Sequence, residues 1–493
     1  MKLNNKFENF YLRKLLNQIL LILLSISFLG GCGGSGGENS TSAPEKSPNL
    51  TVSPTSITVT ASENTALVSI LSNQNWSASS DANWLSISPS TGSGNVDINM
   101  SISTNESTAA RSANISINTD SLSKVITLNQ DGAQTSGFNY QIPPNNTGMR
   151  NIDSADFTDL MGVGFNIGNT MDAVGGEIAW GNPPISTQLI DTIKAAGFTA
   201  IRLPVAWSQF ADSENFVIDP QWLARVDEVV SYAISQDLYV MMNIHWDGGW
   251  IQPTFADQDY VNNRLAIMWQ QIAEFFRDYD DRLLFAGTNE VMVTDDYDTP
   301  TEEYYTVQNS FNQTFVTAVR ATGGRNAYRQ LVVQGFNTNI DHTVNFATIP
   351  EDVIANRLMM EVHFYDPFDF TLNENSTKTQ WGNIATDIDK TVSDANENYV
   401  DAQFNKMRVN FHDQGIGVIL GEFGVISRNE IADFEKYRVY WNEYVTQSAI
   451  ENNLVPFYWD NGSLSNYSFG LFNRETATPV NTTLINAMVK ANQ

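Results

Sequence analysis

The chain has 493 residues, with 27 Lys and Arg residues against 55 Asp and Glu residues, and its formal net charge is −28. This length predicts two or more domains, and a hydrophobic content of 42% supplies enough apolar side chains for their cores. The acidic balance argues against nucleic acid as a partner, because nucleic-acid binding depends on basic side chains that neutralise phosphate. The single cysteine excludes an intramolecular disulfide and a cluster of thiolate metal ligands.

Residues 1–31 have the pattern of a signal peptide, in which basic residues precede an apolar run at 15–29. A membrane-spanning helix needs about 20 apolar residues, so this run is too short for one. The run ends in Leu29-Gly30-Gly31-Cys32, which resembles the lipobox of bacterial lipoproteins. The resemblance implies cleavage before Cys32, lipidation of this cysteine and attachment through the lipid alone, at the outer membrane or cell surface. The alternative is a plain secretory signal followed by a free thiol.

Residues 32–48 form a predicted flexible tether rich in Gly, Ser, Asn and Pro, and residues 49–132 form a predicted small β domain. In the β domain, short segments alternate apolar and polar residues, and turn residues such as Ser90–Gly94 separate them. This spacing, with no helical stretch between the segments, is typical of an antiparallel sandwich of immunoglobulin-like size. The predicted strands lie at 57–59, 68–70, 84–87, 96–100, 115–117 and 125–128.

Short motifs in the β domain resemble those of the BACON domain, a module often attached to carbohydrate-active enzymes. These motifs are Trp84-Leu85, Pro89–Gly94, Asn105, Arg111 and Gln130–Gly132. The resemblance implies either glycan binding or a spacer between the membrane and the next domain, and we favour the spacer. Trp76 and Trp84 are candidates for stacking on sugars, although burial in the core is the commoner role of a tryptophan in a sandwich.

A second predicted linker covers residues 133–147, and from 148 to 493 apolar strands alternate with amphipathic helices such as 220–235, 260–277 and 301–321. Continuous apolar strands are expected when both faces of a sheet are covered, and eight such units predict an α/β fold, the (β/α)8 TIM barrel. A doubly wound sheet is the alternative, but the glycines at 162, 164 and 168 lack the G-x-G-x-x-G spacing. The predicted strands are 161–168, 199–206, 238–245, 283–290, 328–335, 357–365, 417–423 and 454–460.

Polar or ionisable residues directly follow the apolar run at most of the predicted barrel strands. Catalytic side chains of TIM barrels project from the carboxyl ends of the strands, whereas packing alone would place aliphatic residues there. The sequence therefore predicts an active site at this end of the barrel. Its candidate residues are Arg202, His245, Asn289, Glu290, His363, Tyr365, Glu422 and Trp459.

Glu290 and Glu422 belong to the fourth and seventh predicted strands, on nearly opposite sides of the ring. Two carboxylates facing each other across a groove are the minimum equipment of a glycosidase, which needs one neutral acid and one ionised carboxylate. Mutual repulsion and burial separate the two pKa values. The alternative is a zinc site that adds His245 and His363, but the chain has no H-x-x-x-H spacing, so we expect no metal.

The eight candidate residues match the active-site residues of glycoside hydrolase family 5, which residues 150–475 resemble, and three motifs look like subfamily 4 in particular. The motifs are Gly164–Thr170, Asn243–Trp250 and His363–Pro367. The resemblance implies an endo-β-1,4-glucanase that acts on cellulose derivatives, mixed-linkage glucan or xyloglucan. The family usually has proline after the catalytic Asn-Glu pair, whereas this chain has Val291. We expect activity to survive and the shape of the subsites to differ.

The resemblance also implies a role for each candidate residue in a retaining double displacement without cofactor or metal. Glu290 is the implied acid/base, and Glu422 is the implied nucleophile. The supporting residues are Arg202 and Tyr365 on the nucleophile, Asn289 on the sugar 2-hydroxyl, His245 and His363 in the polar floor, and Trp459 as the sugar platform. Further stacking surfaces are predicted at Trp180, Trp246, Trp250 and Trp381.

Three functions remain open on the sequence. The favoured one is a lipid-anchored, monomeric endo-β-1,4-glucanase whose partner is a β-glucan polysaccharide. A xyloglucan-specific endo-β-1,4-glucanase has the same catalytic residues and differs in the room for xylosyl branches. A non-catalytic surface glycan-binding lipoprotein is the alternative from another class, and the intact Glu290 and Glu422 pair argues against it.

Overall fold

The computed structural model describes residues 47–59, 64–105, 107, 110–130, 140–245, 247–294 and 296–491. The chain divides into two compact units, one ending at Thr135 and the other beginning at Ser136. The predicted signal peptide, Cys32, nearly all of the predicted tether and Trp246 lie outside the described residues. Among the described helices, none is both long enough and apolar enough to cross a bilayer.

The N-terminal unit consists of two β-sheets that pack their apolar faces together, which confirms the predicted all-β domain. One sheet has the order β1-β3-β7-β5, and the other has the order β2-β9-β8-β4-β6. Alternate residues of the central strands, such as Ile98 and Met100 or Ile115 and Ile117, are fully buried between the sheets. The strands are β1 (Leu50–Ser53), β2 (Ser56–Val59), β3 (Thr65–Ser72), β4 (Asn75–Ser80), β5 (Leu85–Ser88), β6 (Thr91–Ser93), β7 (Val96–Ile102), β8 (Arg111–Asn118) and β9 (Ser123–Gln130).

Several details of this unit differ from the sequence prediction, in which strands β1, β4 and β6 were missed. Strands β2 and β9 are parallel, although the other pairs are antiparallel. The predicted turn at Ser90–Gly94 contains strand β6, which pairs with β4, a strand that the sequence analysis missed. Strands β4 and β6 are rich in small polar residues, which give a weak strand signal. A tertiary contact stabilises the pair, because the ring of Trp76 packs against Gly92.

The two tryptophans of the sandwich have different environments. Trp76 is only 3% exposed, and its indole Nε1 donates a hydrogen bond of 3.1 Å to the carbonyl of Gly94. It is therefore a core residue and not a surface on which a sugar stacks. Trp84 is half-buried, and the guanidinium of Arg111 lies 4.2 Å from the centre of its ring.

The C-terminal unit contains eight parallel strands that close into a barrel in sequence order, which confirms the predicted TIM barrel. Alternate residues point inward and outward, so both faces are covered. In the lower half of the barrel the inward residues are apolar, as with Met241, Met359 and Phe457. The strands are β10 (Gly164–Ile167), β11 (Ala200–Leu203), β12 (Tyr239–Asn243), β13 (Leu283–Ala286), β14 (Leu331–Gln334), β15 (Leu358–Phe364), β16 (Gly417–Phe423) and β17 (Leu454–Asp460).

Helices follow most of the strands and bury their apolar faces against the outside of the barrel. A short strand pair, β18 (Phe472–Asn473) and β19 (Thr478–Pro479), follows β17. The helices are α1 (Ser154–Thr158), α2 (Thr187–Ala195), α3 (Pro220–Ser235), α4 (Gln258–Phe275), α5 (Glu302–Ala321), α6 (Ile340–Phe346), α7 (Phe368–Thr371), α8 (Glu397–Asn410), α9 (Phe434–Glu451) and α10 (Thr482–Lys490).

Part of the predicted linker at 133–147 packs on the barrel unit. The backbone N–H of Gln141 donates to the carbonyl of Ala321 at 2.8 Å, and that of Asn145 donates to Gly324 at 2.9 Å. These bonds fix the end of the predicted linker to the last residue of α5 and to the loop that follows this helix.

Candidate active site

The upper half of the barrel interior is polar, in contrast to the apolar lower half. Strand alternation places inward-pointing polar residues one layer above the apolar ones, and most of them are buried. These residues are Asn166, Arg202, Asn243, Gln334, Glu361, His363 and Glu422. The candidate site is built on this layer and on the loops that begin where the strands end.

Arg202 of β11 lies at the centre of this layer and is fully buried. Its Nη1 donates to Glu422 Oε1 at 2.8 Å and to Asn166 Oδ1 at 3.0 Å. Its Nη2 donates to Asn289 Oδ1 at 2.6 Å, and its Nε lies 2.8 Å from Glu361 Oε1 in an ion pair. The planar guanidinium thereby orients several neighbours at fixed angles, which a lysine ammonium cannot do.

A β-bulge in β16 turns Glu422 into the barrel. Val362 of β15 pairs with Leu420, but the next residue, His363, pairs with Glu422, so Gly421 is the extra residue. Without the bulge, Glu422 would share the outward face of Leu420. The Nδ2 of Asn166 donates to the carbonyl of Gly421 at 2.8 Å and holds the bulge in place.

Glu422 has donors on both of its carboxylate oxygens. Arg202 binds Oε1, and the hydroxyl of Tyr365 donates to Oε2 at 3.1 Å. Burial raises the pKa of Glu422, and the positive charges of His363 and Arg202 act against this rise. Burial and the nearby carboxylates raise the pKa of Tyr365 well above its ordinary value, so the phenol stays protonated and can donate.

Glu290 follows β13 and has a left-handed backbone with φ of +47°, which is uncommon for a residue with a side chain. Its backbone N–H donates to Gln334 Oε1 at 3.1 Å, and its carboxylate Oε1 lies 2.6 Å from Nδ1 of His363. Its side chain is 38% exposed, whereas that of Glu422 is 7% exposed. Glu290 is thus the carboxylate that faces the open groove.

His363 lies between three carboxylates. Its Nδ1 contacts Glu290, its Nε2 lies 3.3 Å from Glu361 Oε1, and Glu422 Oε2 lies 3.7 Å from Nδ1. Burial alone would lower the pKa of His363, but these carboxylates raise it to about 9. In turn, burial would raise the pKa of Glu290, but the hydrogen bond and charge of His363 outweigh it and lower that pKa.

His245 and Trp459 form a stacked pair in the site, with ring centres 5.7 Å apart and an angle of 11° between the rings. Burial lowers the pKa of His245 well below its ordinary value, so the ring is neutral. The Oδ1 of Asn243 accepts the backbone N–H of Val205, so the Nδ2 of the same amide donates to His245 Nδ1 at 3.2 Å. This assignment leaves a hydrogen on Nε2 of His245.

Gly168 makes room for the ring of Trp459, because a Cβ at this position would lie 2.6 Å from that ring. This glycine was the third member of the glycine series that fails the dinucleotide spacing. Glycine is needed here because the chain packs closely at the end of β10, and not because it forms a phosphate-binding loop.

A cavity of about 500 Å³ extends from Glu290 along the loops after β12 and β13. His245, Asn289, Glu290 and Trp250 all line it. The guanidinium of Arg264 lies 4.3 Å from the centre of the Trp250 ring and supports that ring from behind. The cavity provides a groove into which Glu290 projects.

Three tryptophans that were predicted to stack on sugars differ in placement. Trp381 is 1% exposed, its Nε1 donates to the carbonyl of Ala395 at 2.7 Å, and it packs against Trp441, so that prediction is wrong. The stacking role of Trp381 was predicted from its residue type alone, and its ring instead packs in the hydrophobic core. Trp180 is 45% exposed, and its role stays a prediction. Trp246 is outside the described residues.

The sequence analysis missed Glu361, which lies inside β15, and Gln334, which is the last residue of β14. The signal was present, because Glu361 is a charged residue within the apolar strand Leu358–Phe364 and shares the face of His363 two residues later. Glu361 was missed because the candidate residues were chosen only from the carboxyl ends of the strands. Val291, which replaces the family proline, is buried, and its carbonyl accepts the backbone N–H of Asn337.

Glu290, His363 and Glu422 offer ligand atoms that lie within 4.8 Å of one another, which is a spacing that can hold a metal ion. However, the two ring nitrogens of His363 are hydrogen-bonded to Glu290 and Glu361, and Arg202 donates a hydrogen bond to Glu422. A metal needs a neutral imidazole nitrogen with a free lone pair, and the positive charge of Arg202 opposes a second cation. This donor set fits a proton-handling cluster better than a metal centre.

Comparison with known proteins gives both units a family. Residues 162–465 match the sequence model of Cellulase (glycosyl hydrolase family 5), and residues 49–133 match that of the Viral BACON domain. The chain is 40% identical over 435 residues to the xyloglucan-specific endo-β-1,4-glucanase BoGH5A of Bacteroides ovatus, covering 84% of this chain and 86% of that protein. It is 39% identical over 367 residues to Endoglucanase A of Paenibacillus barcinonensis, covering 70% of this chain and 92% of the relative.

Solved structures show the same relationship. The structure of a Bacteroides ovatus GH5 xyloglucanase in complex with a XXXG heptasaccharide aligns with a TM-score of 0.70 and 37% identity, over 90% of this chain and all of that chain. A family 5 xyloglucanase from Paenibacillus pabuli, in complex with ligand, aligns with a TM-score of 0.67 and 39% identity, over 68% of this chain and 100% of that one. With the polar barrel mouth described above, these matches show that the chain belongs to glycoside hydrolase family 5 and is a glycan endo-hydrolase.

Proposed function

We propose that this chain is a retaining endo-β-1,4-glucanase that cleaves internal bonds of β-glucan polysaccharides. The observation that carries the proposal is the close approach of Glu290 and Glu422, whose carboxylate oxygens lie within 4.8 Å in one cluster. Retaining pairs are about 5–5.5 Å apart, whereas inverting pairs are roughly 6.5–9.5 Å apart to admit a water molecule. The spacing therefore favours direct attack by one carboxylate.

In the first step, an oxygen of Glu422 attacks the anomeric carbon, and the bond from this carbon to the leaving glycosidic oxygen breaks. Glu290 gives its proton to that oxygen as the shortened glucan leaves. In the second step, Glu290 removes a proton from water, and the resulting hydroxyl attacks the same carbon. The ester bond to Glu422 breaks, the nucleophile regains its charge, and Glu290 regains its proton.

The hydrogen bonds divide the two roles between the carboxylates. Glu422 is nearly buried and accepts from Arg202 and Tyr365, both of which stabilise its ionised form and aim it. Glu290 faces the groove, so a bound sugar removes water from it. This desolvation raises the pKa of Glu290 in the complex and favours transfer of the proton that His363 holds at 2.6 Å in the free site.

Other donors of the site fit the sugar itself. The amide of Asn289 accepts from Arg202 through Oδ1, so its Nδ2 is oriented as a donor to the 2-hydroxyl. The Nε2–H of neutral His245 is a second donor, and its ring stacks beside Trp459, the platform on which a sugar ring would lie. These contacts bind a neutral substrate and use no metal.

Xyloglucan is a specific second candidate for the preferred substrate. The relative named as xyloglucan-specific matches 84% of this chain, and two xyloglucanase structures align with it. A preference for xyloglucan would leave the mechanism unchanged, because only the walls of the groove have to admit xylosyl branches.

The location and assembly of the protein are also proposals. We propose that lipid on Cys32 anchors a monomer to the outer membrane or cell surface, with the N-terminal sandwich as a spacer. Growth with an alkyne-labelled fatty acid should label the wild-type protein and leave Cys32→Ala unlabelled and soluble after cell fractionation. Equal labelling of both would refute the anchor. Sedimentation of the purified chain should give the mass of one copy.

Reducing-sugar release from xyloglucan, barley mixed-linkage glucan, carboxymethylcellulose and mannan tests the function. We expect release from the β-glucans, retention of the β-anomer in the first product seen by NMR, and no release by Glu422→Ala. Faster release from xyloglucan would identify the branched substrate. Inversion of the anomer would contradict the mechanism, and no release from any polysaccharide would favour a non-catalytic glycan-binding protein.

A further inference from the structure

We propose that Glu361 is a positioning residue, a buried carboxylate that orients Arg202, His363 and Gln334 and thereby both catalytic carboxylates. The inference rests on the proposed retaining mechanism and adds a residue that does not touch the substrate. It concerns the interior of the barrel one layer below the reacting groups.

Glu361 occupies the middle of β15, where the inward face runs from Met359 through Glu361 to His363. Its side chain is 0% exposed. On the neighbouring strand, the absence of a side chain at Gly421 leaves room for the carboxylate of Glu361, because a Cβ there would overlap it. The barrel interior therefore contains a pocket of the size of one carboxylate at this position.

Both oxygens of Glu361 have partners that belong to the catalytic site. Oε1 lies 2.8 Å from Nε of Arg202 and 3.3 Å from Nε2 of His363. Oε2 accepts a hydrogen bond of 2.7 Å from Nε2 of Gln334. A carboxylate can accept from His363 and Gln334 while its charge pairs with the guanidinium of Arg202.

The contact with Arg202 sets the direction of the guanidinium. With Nε in ion-pair contact with Glu361, the two terminal nitrogens donate to Glu422 and Asn289, at 2.8 and 2.6 Å. The fork is planar, so a rotation that lost Glu361 would also move both of those bonds. In this way Glu361 fixes the donor that aims the nucleophile.

The contact with His363 fixes the partner of the acid. Glu361 accepts at Nε2 while Glu290 accepts at Nδ1, so both ring nitrogens can carry hydrogen at the same time. The negative charge of Glu361 helps to keep that second proton on the ring. His363 then presents an N–H to Glu290 and not a lone pair.

The contact with Gln334 reaches the backbone of the acid. Only the amide nitrogen of Gln334 can donate to Glu361, so its Oε1 is turned toward the backbone N–H of Glu290. Gln308 and Asn312 of α5 hold the carbonyl of Gln334 at 2.9 and 2.8 Å, which keeps the strand in place behind it. This acceptor helps to hold Glu290 in its left-handed backbone conformation, which is strained for a residue with a side chain.

A third buried carboxylate beside two catalytic ones is costly unless its partners are oriented well. Apolar residues that replaced Glu361 and its charged partners together would fill the same space without that cost. The arrangement is therefore better explained by the orientation of three site residues than by stability.

The test compares Glu361→Gln, Gln334→Glu and the double variant Glu361→Gln/Gln334→Glu. In Glu361→Gln, one oxygen is replaced by a donor, so Gln334 must flip and present its own amide hydrogens to the N–H of Glu290. In the double variant the carboxylate moves to position 334, where it accepts from residue 361 and from Glu290. The double variant thereby restores the relay, by which we mean the hydrogen bonds that run from residue 361 through residue 334 to the backbone N–H of Glu290.

We expect kcat on β-glucan to fall by about 100-fold in Glu361→Gln with KM changed less than about threefold, as for a small misplacement of reacting groups. The alkaline limb of the pH profile of kcat/KM should move to lower pH, because His363 loses a carboxylate. The double variant should recover at least about tenfold in kcat over Glu361→Gln, which is a coupling that independent roles would not give.

The matched control is Asp352→Asn, which breaks the buried ion pair with Arg320, whose closest atoms are 2.7 Å apart. This pair precedes β15, at the other end of the barrel from the site. The control should lower the melting temperature without moving the pH profile. If Glu361→Gln keeps the wild-type kcat and pH profile, the inference is wrong.

Two further outcomes are distinguishable. If Glu361→Gln does not fold, as judged by near-UV circular dichroism, Gln334→Met tests the same relay. It should lower kcat more than it raises KM, and an unchanged kcat would overturn the relay to Glu290. If the wild-type protein itself releases no sugar from any glucan, the proposed function is wrong, and the inference about Glu361 is wrong with it.

Discussion

The Nη1 atom of Arg202 lies 2.8 Å from Oε1 of Glu422 in an ion pair whose side chains are 0% and 7% exposed. Breaking such a buried pair by removing one partner leaves an uncompensated charge in the protein interior. Arg202 also neutralises Glu361, so it is the fixed cation of the barrel mouth. Arg202 is therefore a main source of charge compensation and orientation for Glu422, the proposed nucleophile.

Arg202→Met should destabilise the protein by about 3–5 kcal/mol, because two buried carboxylates lose their cation. Arg202→Lys keeps the charge but cannot contact Glu361, Glu422 and Asn289 together, so we expect the fold to persist and kcat to fall about 100-fold. Urea unfolding and steady-state kinetics measure the two effects. Wild-type kcat in Arg202→Lys would show that the planar fork is dispensable.

Glu290→Ala should lower kcat on polysaccharide by about 10²–10⁴-fold, because the leaving oxygen loses its proton donor. On an aryl cellobioside with an acidic phenol as leaving group, the first step needs no proton, and the loss should be much smaller. Added azide should then restore turnover and yield a β-glycosyl azide. Glu422→Ala is the control, and equal rescue of both variants would contradict the division of roles.

The stability of the protein should fall as pH rises above neutrality, because of His363. Its pKa is about 9 in the folded protein and about 6.5 in an unfolded chain. The folded state binds this proton more tightly, so the stabilisation is complete below about pH 6.5 and is lost as pH rises through about 9, a total of about 3 kcal/mol.

Urea unfolding between pH 6 and pH 10 measures this effect. His363→Asn should flatten the decline, whereas His412→Gln should keep it, since His412 precedes β16 at the other end of the barrel. The same slope in His363→Asn and in wild type would show that other groups cause the decline.

Trp459→Ala and Trp381→Ala should separate binding from stability. Trp459 is half-exposed and stacks on His245, so its loss should raise KM about tenfold, the equivalent of about 1.4 kcal/mol of stacking, with little loss of stability. Trp381 is buried, so its loss should cost about 3–5 kcal/mol of folding free energy and leave KM unchanged. The reverse pattern would exclude Trp459 as the sugar platform.

Prolonged dialysis against EDTA should leave the activity unchanged. The reason is that Arg202 and protonated His363 already supply the positive charges that the carboxylates need. Reducing-sugar release before and after dialysis measures the effect. A loss of activity that Mn²⁺, Zn²⁺ or Ca²⁺ restores would establish a metal site on Glu290, His363 and Glu422.

The sequence by itself determined the barrel and most of the candidate site. Continuous apolar strands alternating with amphipathic helices are determined by local composition, and a polar residue after such a strand is visible in one dimension. Arg202, His245, Glu290 and Glu422 were found in this way, and the structure brings them to one end of the barrel.

The tertiary structure decided what the sequence pattern cannot encode. Strand periodicity alone would turn Glu422 to the face of Leu420, and only the register of β15 against β16 reveals the bulge that turns it inward. Burial likewise separated Trp381 from Trp459, although both are tryptophans in a plausible context. Glu361 received its partners from β11, β14 and its own strand, and contacts between residues far apart in the chain depend on how the strands pair and not on any local preference.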